Sequence, residues 1–339
     1  MNKIKIKKIS AILLAVALTV SGSAAAFADD VQPTAPAPIE VGNYTISWKF
    51  DTYQEPDFTS KKLGTFTPQE ITILSVGTDG WVSIGTYSGV CWVNLIITDP
   101  VTIAAIKVAR QLEKFQQLPF YDADNASRYF VYALAHPELS TTSAALRVNI
   151  GLDTPFYSSP DVIADPNSLL VLCNKYHQLA ANYVPPDLVA VPNGQLRSVA
   201  ATAYNKMAAD MKAAGVPITI SSPYRSFATQ TWLYNGYVAQ DGQAKADTYS
   251  ARPGFSEHQT GLAFDISHSG DFSATKQFAW LVDNAYKYGF ILRYPKGCDA
   301  ITGYEFEPWH WRYVGVDVAT FMRDNKIATF DEYCAEYLQ

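Results

Sequence analysis

Charge is scarce in this chain of 339 residues: Asp, Glu, Lys and Arg together make up 17%, and acids outnumber bases. Low charge combined with 48% apolar content excludes a disordered chain, which could not bury enough apolar surface to fold. The formal net charge is −6 and no basic stripe is present, which argues against nucleic acid as a partner and against a zinc-dependent nuclease. Cysteine is sparse too. Cys91, Cys173, Cys298 and Cys334 lie far apart without CxxC spacing, so they form no zinc knuckle. If the compartment is oxidising, Cys298 and Cys334 are the pair to join, with free buried thiols the equal alternative. Beyond the N-terminus no apolar run is long enough to cross a bilayer. Histidine is limited to five positions: 136, 177, 258, 268 and 310.

What is present begins at the N-terminus. Four Lys in "MNKIKIKK" precede the apolar run "ISAILLAVALTV", and small residues follow at Ala26 and Ala28. This is the pattern of a secretory signal peptide cut after Ala28, so a secreted protein, extracellular or wall-associated, is expected. Loss of residues 1–28, with four Lys and no acid, takes the formal charge to −10. Residues 29–42 read as a Pro/Ala linker. Over 43–99, short β-type runs alternate with turn residues such as "GTDG", which predicts a small all-β barrel. Residues 101–118 predict a helix. The aromatic and Pro-rich stretch that follows, up to 194, reads with it as a connecting region packed on what comes next.

From 195 to 339 the pattern mixes helices and strands without regular βαβ repetition, so the fold class is α+β. The segment 194–215 carries Leu196, Val199, Ala200, Ala203, Met207 and Met211 on one helical face and stops at Gly215. "VPITISS" reads as a strand, and "FATQTWLYNGYVAQ" as a helix with Ser226 as N-cap. Strands "LAFDIS", "FILRYP" and "HWRYVG" and terminal helices complete the series.

Chemistry concentrates in two short motifs. "SEHQTGLAFD" places His258 in a loop and Asp265 in the following strand; "EPWHW" holds Glu307 three residues before His310. Asp265 stands between Phe264 and Ile266, and a charge in an apolar strand needs a partner. A zinc peptidase needs three protein ligands, an open position for water and a carboxylate to take the water's proton. His258, Asp265 and His310 could be the ligands and Glu307 the base, with Gly261 and Ala263 leaving room beside a metal. Singly, each has a plainer role as a loop, salt-bridge or surface residue. His136, His177 and His268 are assigned structural roles.

Together the motifs resemble the SxHxxGxAxD and ExxH signatures of VanY-type D-alanyl-D-alanine carboxypeptidases, in the LAS group of zinc peptidases. "SPYRSFATQ" at 222–230 is similar to that family's Tyr-Arg-Ser segment. The resemblance covers about 195–326 and implies a Hedgehog/DD-peptidase-like zinc domain with a mixed antiparallel sheet. It implies Zn2+ held by His258, Asp265 and His310, Glu307 as general base, and Arg225 stabilising an oxyanion or anchoring substrate. Ser256, Gln230 and Tyr224 would lie in the substrate site. The hairpin "DGWVSIGTYSGVCWVN" resembles bacterial SH3 domains, although Trp81 and Trp92 singly read as core. The implied function is removal of the C-terminal D-alanine from peptidoglycan stem peptides at the cell wall by a monomer, with D,D or L,D specificity open. An endopeptidase is one alternative; a non-catalytic, zinc-stabilised wall-binding protein is another, disfavoured by Glu307.

Overall fold

The computed structural model describes residues 39–338 apart from Ser88. The expected signal peptide and most of the expected linker lie outside the described residues. The chain divides into two compact units between Pro137 and Glu138.

In the first unit, β1 (Gly42–Ile46), β2 (Phe50–Tyr53), β3 (Lys62–Phe66), β4 (Gln69–Val76), β5 (Trp81–Thr86) and β6 (Gly89–Asn94) form one sheet, ordered β1-β4-β5-β6-β2-β3. All its pairings are antiparallel. Alternation sends Ile71, Ile73, Val82, Ile84, Cys91 and Val93 inward to a shared core. Trp81 belongs to a second apolar cluster with Tyr53 and Phe58, and Trp92 packs against it, so both tryptophans take the core role. Helices α1 (Pro100–Gln116) and α2 (Ala126–Ala135) fall in this unit as well. The connecting region is therefore divided, and only its part from Glu138 onward belongs with the C-terminal unit.

The second unit begins with α3 (Thr141–Ile150) and the two-residue strands β7 (Asp161–Val162) and β8 (His177–Gln178). A hairpin of β9 (Leu188–Val191) and β10 (Gly194–Arg197) turns at Asn193, whose φ of 63° lies in the left-handed region. Pairing with β9 takes 194–197 out of the expected helix, so α4 starts at Ser198 and runs to Ala213. Its buried stripe is Ala200, Tyr204, Met207 and Met211, at helical spacing. Helix α5 (Phe227–Asp241) is capped as expected: Ser226 Oγ accepts from the N–H of Thr229 at 3.1 Å. Helices α6 (Lys276–Asn284), α7 (Val316–Asp324) and α8 (Phe330–Tyr337) complete the unit; a reciprocal Thr329–Glu332 capping box opens α8.

The central sheet is antiparallel, ordered β11 (Ile220–Ser222), β12 (Ala263–Ile266), β14 (His310–Tyr313), β13 (Phe290–Leu292). Its two faces differ in chemistry because successive side chains point to opposite sides. One face offers Phe264, Ile266, Trp311, Tyr313 and Phe290 to a core shared with Tyr204, Met207 and Met211. The other carries Ala263, Asp265, His310 and Arg312. Mixed helices and an antiparallel sheet agree with the expected class. All four cysteines are free thiols. Of the two readings open for Cys298 and Cys334, the free thiols are present rather than the pair: Cys334 is buried in an apolar cluster with Phe330 and Tyr333, while Cys298 precedes the short helical turn Asp299–Thr302.

Candidate active site

Sheet register assembles half of the site. Asp265 on β12 pairs directly with His310 on β14, so the two side chains leave the same face side by side. The other half comes from the 3-10 turn Glu257–Thr260, which ends at Gly261 and delivers the chain into β12. Gly261 has φ 66°, and a Cβ there would lie 2.9 Å from Leu188 Cδ2 and 3.1 Å from Arg197 Cγ. Its glycine is thus required by the left-handed turn and by packing on the β9–β10 hairpin, not by space beside a metal. Ala263 is cross-strand from Arg312, and its small side chain leaves that face open to the guanidinium.

One atom each of His258, Asp265 and His310 lies within 4.8 Å of the others. His258 Nε2 is 3.3 Å from Asp265 Oδ2, and His310 Nδ1 is 3.2 Å from Asp265 Oδ1. Glu307 Oε2 stands 3.6 Å from His310 Nδ1. His258 Nε2 and Asp265 Oδ1 are buried and make no hydrogen bond. Unsatisfied buried polar atoms cost about 1–3 kcal/mol each, so two of them facing one point call for a ligand. Two imidazoles and a carboxylate are the donor set of an open tetrahedral zinc site. The residues present fit the metal.

Electrostatics sort the carboxylates by role. Burial alone would raise Asp265, but His258 and His310 beside it hold its carboxyl far below the usual range. Glu257 is buried too, yet Arg293 and Arg312 keep it ionised. Glu307 has no such cation pair, and burial pushes it up to about 8 in the metal-free protein. Burial lowers His258, reinforced by the Arg225 charge. Burial would lower His310, but the carboxylates of Asp265 and Glu257 beside it outweigh this and raise it to about 9.

A cavity of about 330 Å³ opens over these groups and is lined by Arg225, Gln230, Ser256, Glu307 and both histidines, among others. Arg225 Nε and Gln230 Oε1 are buried without partners. Gln230 is itself fixed by donating to Ala251 O at 2.7 Å. Ser256 precedes the 3-10 turn and its side chain makes no capping bond, so the hydroxyl is not committed to the turn. Tyr224 departs from expectation: it is not among the residues lining this cavity. Neighbours in an extended segment point to opposite sides, and Arg225 takes the cavity side. His136, His177 and His268 are outside the ligand group, as expected; His177 bonds Asn174 and His268 stacks on Trp309. Sequence reasoning missed Tyr237, Tyr249, Tyr294, Tyr304 and Trp309 in the cavity wall, and Glu257 beneath His310.

A model of the VanY D-alanyl-D-alanine carboxypeptidase family matches residues 193–316. YodJ of Bacillus subtilis is 40% identical over 190 residues, 51% of this chain and 69% of its own length. The bifunctional D-Ala-D-Ala dipeptidase and D-Ala-D-Ala carboxypeptidase VanXYC of Enterococcus gallinarum is 34% identical over 182 residues, covering 48% of this chain and 92% of its own. The chain belongs to the VanY carboxypeptidase family. It is a metallo-carboxypeptidase by that membership and by the donor set described above. Among solved structures, the LD-carboxypeptidase LdcB is 40% identical over 52% of this chain and 90% of its own, with a TM-score of 0.49. A D,D-pentapeptidase VanY from a VanB-type resistance cassette, in complex with Zn(II), is 33% identical over 50% and 99%, with a TM-score of 0.45. The VanY-matched range contains Arg225, Ser256, His258, Asp265, Glu307 and His310.

Proposed function

We propose that this VanY-family protein is a secreted, zinc-dependent enzyme that removes the C-terminal D-alanine from peptidoglycan stem peptides. The observation that carries the proposal is the convergence of His258 Nε2, Asp265 and His310 Nδ1 on one point, with the Glu307 carboxyl 3.6 Å from His310 Nδ1. Zinc held by those three residues supplies a Lewis acid and brings the pKa of a bound water toward ~7.

The remaining steps belong to this chain's own side chains. Glu307 takes the proton of the attacking water and returns it to the leaving amine, a role that needs a carboxyl without a permanent cationic partner. Arg225, always charged, offers N–H donors from the cavity wall to the substrate's terminal carboxylate or the developing oxyanion. Ser256 and Gln230 add a hydroxyl and an amide oxygen on the same wall. Recognition of a free carboxylate beside the scissile bond is what separates a carboxypeptidase from an endopeptidase. The Trp-containing hairpin supports residues 43–99 as an SH3-like module that attaches the enzyme to the wall, and the N-terminal Lys-apolar-Ala pattern supports export.

The test is mass spectrometry of defined tetra- and pentapeptide stems incubated with zinc-loaded protein. Loss of one alanine from the pentapeptide marks a D,D activity and from the tetrapeptide an L,D activity. Cleavage only inside the stem, or no cleavage of either peptide, refutes the proposal.

A further inference from the structure

Two imidazoles face the same point, and each must present a lone pair there. Its other ring nitrogen must then carry the proton. His258 meets this condition with backbone: Nδ1 is 2.8 Å from the carbonyl of Pro223. His310 meets it with a side chain: Nε2 is 3.4 Å from Glu257 Oε2. We infer that Glu257 is a positioning residue of the metal centre, which holds His310 as the Nε2–H tautomer and aims Nδ1 at the ion. The inference rests on the reading that His258, Asp265 and His310 hold zinc.

A carboxylate at that depth needs a reason to stay ionised. The Glu257 side chain has 0% exposure, and an unpaired charge there would be prohibitive. Two guanidinium groups resolve this by gripping one oxygen. Arg293 Nε donates to Oε1 at 2.7 Å and Arg312 Nη1 donates to the same atom at 2.9 Å, which leaves Oε2 for His310. Both arginines are themselves fixed. Arg312 Nη2 donates to the carbonyls of Leu169 and Val171 at 3.0 and 2.9 Å. Arg293 Nη1 bonds Asp331 Oδ2 at 2.6 Å, and Asp331 Oδ1 accepts from Asn174 Nδ2 at 2.8 Å.

Glu257 and both arginines lie inside the segment that matches the family model, and the contacts that fix Arg293 extend beyond it. The chain of contacts runs His310, Glu257, Arg293, Asp331 and Asn174, and its last two members come from α8 and from the loop before β8. Glu257 and Asp331 balance the two arginines, so the cluster is neutral and Glu257 keeps its charge. A carboxylate on the far nitrogen of a liganding imidazole also strengthens that imidazole as a donor. A merely structural cluster would pin α8 without affecting the metal.

Two measurements on the mature chain separate these roles. First, long-range ¹H–¹⁵N spectra of histidine-labelled, zinc-loaded wild type should show the proton on Nδ1 of His258 and on Nε2 of His310; a proton on Nδ1 of His310 overturns the inference. Second, zinc affinity is measured by competition with a chromophoric chelator for wild type, Glu257→Gln and Asp331→Asn. Glu257→Gln should weaken zinc about 10- to 100-fold, and Asp331→Asn, which does not touch His310, should weaken it less. Folded Glu257→Gln with affinity within about threefold of wild type overturns the inference, as does an equal loss in Asp331→Asn. If Glu257→Gln does not fold, the wild-type tautomer decides. A wild type that binds no zinc refutes the ligand reading itself, a result distinct from either.

Discussion

Replacing Glu307 by Gln should separate metal binding from chemistry. The substitution keeps volume and polarity and removes only the capacity to accept a proton. General-base catalysis contributes about 10²–10⁴-fold, equal to about 3–5 kcal/mol of barrier. The structure points to the upper end, because among the described residues the other acids and buried phenols at the metal point are committed elsewhere. Asp265 is committed between two imidazoles and Glu257 to two arginines, while burial holds the phenols of Tyr294 and Tyr304 protonated. The assay is steady-state release of D-alanine from a defined stem peptide, with zinc content measured on the same sample. Expected are unchanged zinc and turnover down about 10⁴-fold. Activity above about one hundredth of wild type, with full metal, refutes Glu307 as the base. The pH profile carries a second check. Burial sets Glu307 at about 8 in the metal-free protein, and a divalent cation beside it favours the ionised form. The working species is the carboxylate, so kcat/KM rises as pH rises through this group's pKa, with its midpoint below 8 in the loaded enzyme. An activity that falls over that limb contradicts the assignment.

Two further outcomes follow from the geometry. Chelation of zinc should abolish activity and lower Tm, and at zinc a thousandfold above Kd the ion contributes about 4 kcal/mol; His258→Ala should show neither stoichiometric zinc nor any zinc-dependent rise in Tm. Gly261→Ala places a Cβ 2.9 Å from Leu188 at φ 66°, so it should destabilise by about 1–3 kcal/mol and lower Tm by about 3–9 °C. A Gly261→Ala protein as stable as wild type by differential scanning calorimetry would show that the turn does not need glycine.

How much of this could be read from the residues depends on whether a signal is local. Asp265 was legible because one charge interrupts an apolar strand, and the same logic applied to two residues that were passed over. Arg293 ends "FILR" and Arg312 stands between Trp311 and Tyr313. Both are fully buried and need an acid, and Glu257 is that acid. The Ser226 cap was legible for the same local reason. The start of α4 was not, since pairing of β10 with β9 overrides a helical pattern in 194–197. Nor was β3, whose "KLGTF" offers little alternation and owes its shape to β2. The aromatic wall of the cavity is drawn from separate segments around 237, 249, 294, 304 and 309, and no spacing rule joins them.

Asp265 and His310 meet for a reason no single motif contains: antiparallel pairing of β12 with β14 sets residue 265 opposite 310. A slip of one residue would turn either side chain into the core face. The core on the opposite face therefore guards the site. Phe264 pairs with Trp311 there, and each is locked among the aromatic and methionine side chains of that face. Any register that misaligned the ligands would also expose those two rings, at about 1.5–3 kcal/mol or more for each. The apolar residues that a functional reading passes over are what specify the geometry of the metal ligands.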